Sequence, residues 1–205
     1  MKENNFAISS AKQGGDATID PFELILLTIL RVFRTLRLER MLRFLTGTHS
    51  FTDYFKGFEK VEAVRQLFGE KTEQVLRNLK VHLIPIWGYM WVSNMDGHII
   101  VSSRYLNSGS KVDIYLDVIH ELTHVKQFLD GKELFDVNYG YTERPTEVEA
   151  YRRAVVEAKR LGLSNEKICE YLKTEWMSEE DLKRLAKTLN IECGRSKDQV
   201  SPTHP

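Results

Sequence analysis

From Val112 to Asp130, apolar side chains recur at Leu116, Ile119, Leu122, Val125, Phe128 and Leu129. These three- and four-residue steps predict an α-helix with one broad buried face, stopped by Gly131, and so a central element of the fold. Upstream the pattern changes. Val81 to Val92 is aliphatic and aromatic, and after Asn94-Met95-Asp96-Gly97 comes the run Ile99 to Tyr105. Two such runs around Asp-Gly predict a β-hairpin. Downstream, Thr146 opens a helix that ends before Gly162, with Glu149 placed to complete a capping box. Ser164 and Ser178 open two shorter helices, Asn165 to Lys173 and Glu179 to Leu189.

The N-terminal part reads as helical. Asp20-Pro21-Phe22-Glu23 starts a helix running to Leu45 before Gly47, and Val61, Val64, Leu67 and Phe68 give helical spacing inside Thr48 to Lys80, with Gly69 as a stop. The expected class is α+β, mostly helical, with a small sheet or hairpin packed on the Val112–Asp130 helix. The expected organisation is a disordered lead-in at 1–20, an N-terminal helical part at 21–80, a core with C-terminal helices at 81–192 and a flexible tail at 193–205.

Composition narrows the class. With 205 residues, 29 basic and 29 acidic side chains, the chain has no cationic excess to suggest nucleic acid. Arginines at 31, 34, 37, 40 and 43 suggest a basic stripe for a membrane surface. Three-residue steps turn about 300° on a helix, however, so they wind around the Phe22–Leu45 cylinder, and membrane contact is disfavoured. The first twenty residues lack the apolar core of a signal peptide. Cys169 and Cys193 form no zinc knuckle and are too few for a disulfide scaffold, which leaves free thiols and a cytoplasmic setting as the expectation.

The chemistry lies within the central helix, at His120-Glu121-Leu122-Thr123-His124. Residues four apart stand one turn above each other, so both imidazoles reach one ion, while Glu121 is placed to take a proton from water. A catalytic zinc site needs a third protein ligand. Glu147, at the start of the next helix, is the first choice and Glu149 the runner-up. Asp130 falls at the metzincin spacing, but Gln127 stands where that turn needs glycine, so Asp130 is expected to be solvated beside Gly131. His49, His82 and His98 lack partners of this kind and are expected to be ordinary surface or core residues, with His204 in the tail.

The blocks GHIIVSSRYL, VIHELTHVKQ and RPTEVEAYRRA together resemble the gluzincin type of zincin metallopeptidase, especially the minigluzincins and the ImmA/IrrE-like peptidases, over roughly Ile99 to Leu161. The resemblance implies a zinc-dependent metalloendopeptidase acting on a peptide or protein substrate, with zinc on His120, His124 and Glu147 and with Glu121 catalytic. The family's Glu-x-x-Ala falls on Glu147 and Ala150. Where thermolysin-like gluzincins carry an aspartate, Tyr151 stands instead; Asp117 is an alternative orienting residue, although a solvated role is the expectation. Tyr139 or Tyr141 is placed to donate to the developing oxyanion. Ile99 to Tyr105 would be the rim of the cleft, with Ser102 and Ser103 suiting a half-exposed edge. Minigluzincins also suggest a zymogen: the tail after Leu189 would fill the cleft and Cys193 would add a fourth ligand, against the plainer expectation of a loose tail with a free thiol. The alternative function is a non-catalytic or regulatory binding module built on the same fold.

Overall fold

The computed structural model of the chain describes residues 47–193. The expected lead-in, the Phe22–Leu45 helix with its arginines, the tail beyond Cys193 and His204 lie outside the described residues.

Four short strands form one mixed sheet in the order β1-β2-β4-β3: β1 Thr48–Ser50, β2 Lys80–Ile84, β3 Met90–Val92 and β4 Ile99–Ser102. β3 and β4 pair antiparallel, with Trp91 opposite Ile100, and make the expected hairpin. Gly97 closes it at φ 73°, and a Cβ there would run into the Phe128 ring, so the position requires glycine twice over. β2 pairs with β4 in parallel, Val81 opposite Ile99, and β1 with β2 antiparallel, His49 opposite Val81. Between β1 and β2 the chain forms α1 Phe51–Tyr54, α2 Glu62–Phe68 and α3 Thr72–Asn78, with 3₁₀ turns between them.

The expected rim strand is corrected. All four residues of β4 are buried, and it lies between β2 and β3. Ser102 ends it: its hydroxyl donates to Ile86 O at 2.6 Å and accepts from Tyr105 N, capping α4 Ser103–Ser108. Among the described residues the edge of the sheet beside the helices therefore belongs to β3. There Tyr89 O accepts from Ser102 N, and Ser93 N donates to His98 O. By the alternation of an antiparallel ladder, the backbone groups of Met90 and Val92 point away from β4.

The long helix is α5, Lys111–Leu129, capped by Ser110. It lies between two apolar clusters. Val118, Ile119, Leu122 and Val125 join the sheet residues Val81, Val92, Ile99 and Val101 and the phenylalanines 51, 55 and 58, so residues 48–80 share one core with the helix. On the other side Leu116 meets Tyr151, Val155 and Ala158 of α6 Pro145–Arg160, together with Ile168 and Leu172 of α7 Asn165–Leu172 and Leu185 of α8 Glu179–Thr188. Burying side chains such as Leu116, Ile119 and Leu122 contributes roughly 1.5–3 kcal/mol each, which fixes the helix on both sides. Leu129, expected on this face, is 58% exposed because the helix runs out past its partners there.

Two local expectations differ at α6. Its N-cap is Arg144 with Pro145 in the first turn, and Thr146 donates its hydroxyl to Leu134 O at 3.1 Å rather than capping. Ser164 and Ser178 cap as expected, the second in a capping box with Asp181. The cysteines are corrected more strongly: Cys169 on α7 and Cys193 form a disulfide, Cα atoms 5.6 Å apart, and Ile191 is buried in the second cluster. Neither thiol is free, Cys193 is not a metal ligand, and residues 191–193 pack against the helices. Among the described residues, no helix is long and apolar enough to cross a membrane.

Candidate functional site

His120 and His124 project from α5 on the same side, where α6 crosses, and both are buried with Glu147. His120 Nε2 and His124 Nε2 stand 3.0 Å apart, and Glu147 Oε2 lies 3.3 Å from the first and 3.4 Å from the second. A divalent ion holding tetrahedral ligands at about 2.0–2.1 Å spaces its donor atoms roughly 3.3 Å apart, so the three atoms fit one ion. The donor chemistry agrees. Buried imidazole nitrogens facing each other across a carboxylate form a group that a cation satisfies and that neutral packing does not. The sequence's first choice is thus the carboxylate that converges, and Glu149 is not: its Oε2 accepts from Lys132 Nζ at 2.9 Å and Gln127 Nε2 at 3.0 Å. Asp130 pairs with Lys126 at 2.5 Å on the exposed end of α5, as expected.

The charges are coupled. Burial opposes ionisation of Glu147, but the two imidazoles outweigh it and hold the carboxyl well below its usual range. Burial likewise pushes His124 down, yet Glu147 beside it prevails and holds the ring at about 9, whereas burial dominates for His120 and lowers it.

Two residues that the motif gives no hint of complete this cluster. Gln127 donates to Thr146 O and to Glu149, so its Oε1 is left to accept the His124 Nδ1–H at 2.8 Å. That fixes the tautomer and leaves Nε2 as the lone-pair donor of the neutral ring. Arg144 stands 3.7 Å from Glu147 Oε1, steadying the oxygen that faces away from the histidines. The only sequence signal was Gln127's place one turn beyond His124. Replacing Gln127 by leucine is expected to weaken metal binding by roughly 10- to 100-fold with the fold retained. Competition against a chelating dye measures it, and unchanged affinity would remove Gln127 from the site.

Tyr151 stands where an orienting aspartate was absent. Its ring packs edge-on against His120, centroids 4.4 Å apart, and holds that imidazole by contact, while His120 Nδ1 is buried with no hydrogen-bond partner. The Tyr151 hydroxyl lies 2.9 Å from that of Tyr141. Burial first, then Tyr151 and the Glu147 and Glu121 carboxylates, raise the Tyr141 pKa, so it stays a neutral O–H donor, and it lines the same cavity as His120 and Glu121. Tyr139, its rival, is 46% exposed and outside that cavity.

Glu121 is 5% exposed, and its Oε2 has no hydrogen-bond partner. Burial is the largest influence and raises its pKa well above the ordinary value, with Glu147 and Asp117 adding to it and His124 and the Val92 backbone N–H opposing. Asp117, expected to be solvated, instead accepts from the Tyr105 hydroxyl at 2.6 Å. The other histidines also have partners: His98 Nδ1 lies 2.5 Å from Asp96, and His82 Nδ1 lies 3.2 Å from the Thr48 hydroxyl. His49 packs its ring on Tyr54, and none of the three joins the metal-type cluster.

Compared with known proteins, the chain matches no family model, no curated protein and no solved structure. Its site is read from its own chemistry.

Proposed function

We propose that this chain is a zinc-dependent metallopeptidase of the gluzincin type, with His120, His124 and Glu147 holding the metal. The observation that carries the reading is the convergence of those three donors beside the buried Glu121 carboxylate, whose Oε2 has no hydrogen-bond partner. Zinc bound there would supply Lewis acidity, polarising a carbonyl oxygen and making a neighbouring water more acidic.

The chain's own residues do the rest. Glu121 accepts a proton as the water oxygen bonds to the peptide carbonyl carbon, and its raised pKa suits a group that takes and then gives up that proton. When the carbon–nitrogen bond breaks, Glu121 delivers the proton to the departing amine. Tyr141 donates a hydrogen bond to the carbonyl oxygen as negative charge develops. Substrate lies along β3, where the outward backbone groups of Met90 and the carbonyl of Val92 accept an extended peptide as an added strand, the Val92 N–H being turned to Glu121. That edge beside the cavity favours a peptide over a compact substrate.

A binding module with a structural ion is the weaker reading. Such an ion takes four protein ligands and has no use for Glu121, and among the described residues only three donors converge. The zinc-loaded full chain is expected to cleave members of a quenched-fluorescent peptide library. A chelator should stop cleavage, and added zinc should restore it. Zinc-loaded protein that cleaves nothing in the library would overturn the proposal.

A further inference from the structure

Beside Glu121, a cavity of about 150 Å³ extends along α5 toward its N-terminus, past Asp117 to Asp113. We infer that this cavity is a specificity pocket for a basic side chain, the lysine or arginine of a peptide substrate, whose cation meets the Asp117 carboxylate. The inference rests on the peptidase reading for the word substrate, but the chemistry of the pocket stands apart from it.

Helical spacing sets the depth. Asp117 lies one turn before Glu121, about 6 Å along the axis at 1.5 Å per residue. An extended lysine side chain, five bonds of about 1.5 Å, reaches roughly that far. A residue whose backbone sits at the Glu121 level therefore brings its ammonium group to Asp117.

The walls suit such a guest. Tyr89 packs edge-on against Tyr105 at 5.0 Å and against Trp176 at 5.5 Å, and all three rings line the cavity. Aromatic faces accept an aliphatic stem and attract a cation. The floor has an unmatched charge. Asp117 accepts from Tyr105, and the Tyr171 hydroxyl faces it, yet no lysine, arginine or histidine among the described residues forms an ion pair with it. Glu170, also on the lining, is already paired with Lys167 at 2.6 Å, and Lys173 sits at the exposed rim. Four polar atoms of lining residues, Tyr171 OH, Thr174 Oγ1, Glu121 Oε2 and His120 Nδ1, are buried without hydrogen-bond partners. A half-buried carboxylate without a counter-cation is a costly arrangement, and a guest cation relieves it. Burial, the largest influence on Asp117, lifts its pKa to about 6, so at pH 8 the carboxylate is ionised.

The test has a binding arm and a cleavage arm, both at pH 8. In the first, the full-length Glu121→Gln protein is titrated by calorimetry with a capped lysine-containing tetrapeptide and with its Nε-acetyl-lysine counterpart. The free amine is expected to bind roughly 10- to 100-fold tighter, the scale of a charge-assisted hydrogen bond. Adding Asp117→Asn should bring the two affinities together. Equal binding of the two peptides overturns the pocket, and because that comparison leaves Asp117 unaltered, it decides the matter even where Asp117→Asn fails to fold. In the second arm, wild-type protein cleaves a library varied at each position around the scissile bond. A preference of tenfold or more for lysine or arginine at one position supports the pocket, and cleavage with no such preference counts against it while leaving the peptidase reading intact. Selective binding with no cleavage by zinc-loaded wild type sustains the pocket and sinks the peptidase.

Discussion

Glutamine in place of Glu121 is expected to lower peptide cleavage by about 10³-fold while zinc remains bound. The magnitude is that of losing a general base from a site whose other parts are intact. Glutamine keeps the shape of the side chain in a position that is almost fully buried, so His120 and His124 on either side keep their places. What disappears is the oxygen proposed to accept a proton from water and return it to the amine. Burial raises the Glu121 pKa in the folded chain, so the native carboxyl costs stability progressively as pH rises from the ordinary carboxylate range through that raised pKa, a cost glutamine does not carry, and the metal-free variant should melt no lower than wild type at pH 8. The pair of measurements is zinc content beside kcat/KM. A variant with full zinc and an unchanged rate would rule out the assigned role.

Removing Glu147 should have the other large effect, this time on the metal. Glu147→Ala takes away one of three donors, and zinc affinity is expected to fall on the order of 10³-fold, a proportionate share of the total free energy with which zinc is held in protein sites. His124 changes too. Glu147 is what holds that ring at about 9 against the pull of burial, and without the carboxylate both imidazoles are driven toward the neutral form. Glu149→Ala is the matched control, because its carboxylate is occupied by Lys132 and Gln127 and stays away from the histidines. Zinc retained after dialysis against a chelator separates them. Loss from Glu149→Ala and retention by Glu147→Ala would place the metal elsewhere.

The parts of this arrangement legible in the sequence are those set by local periodicity. Leu116, Ile119 and Leu122 announce α5 because a buried helical face must repeat every three or four residues, and the histidines inherit their common side from the same repeat. Ser178 announces α8 because a cap acts within one turn. Glu147 was legible as a carboxylate at the start of the following helix. Pairing across long stretches was not. Nothing in Val81 or Ile99 says that their strands run parallel, and a three-residue strand such as Thr48–Ser50 leaves too short a pattern. Ile99 to Tyr105 looked like an edge because Ser102 and Ser103 are polar, whereas both hydroxyls are spent on backbone carbonyls, Ile86 O and Ile84 O. Asp117 takes its role from Tyr105, and the orientation of Gln127 from Thr146 and Glu149, all on other elements, which one-dimensional spacing does not encode.

The bond between Cys169 and Cys193 closes a span of 24 residues, and a cross-link of that size stabilises by roughly 3 kcal/mol through the unfolded ensemble. It tethers α7, the helix that carries Glu170 and Tyr171, and leaves α5 and α6 untouched. Dithiothreitol in a storage buffer would therefore slacken one flank of the cavity and spare the histidines, so two laboratories holding the same polypeptide, one with reductant and one without, would be working with different forms of the molecule.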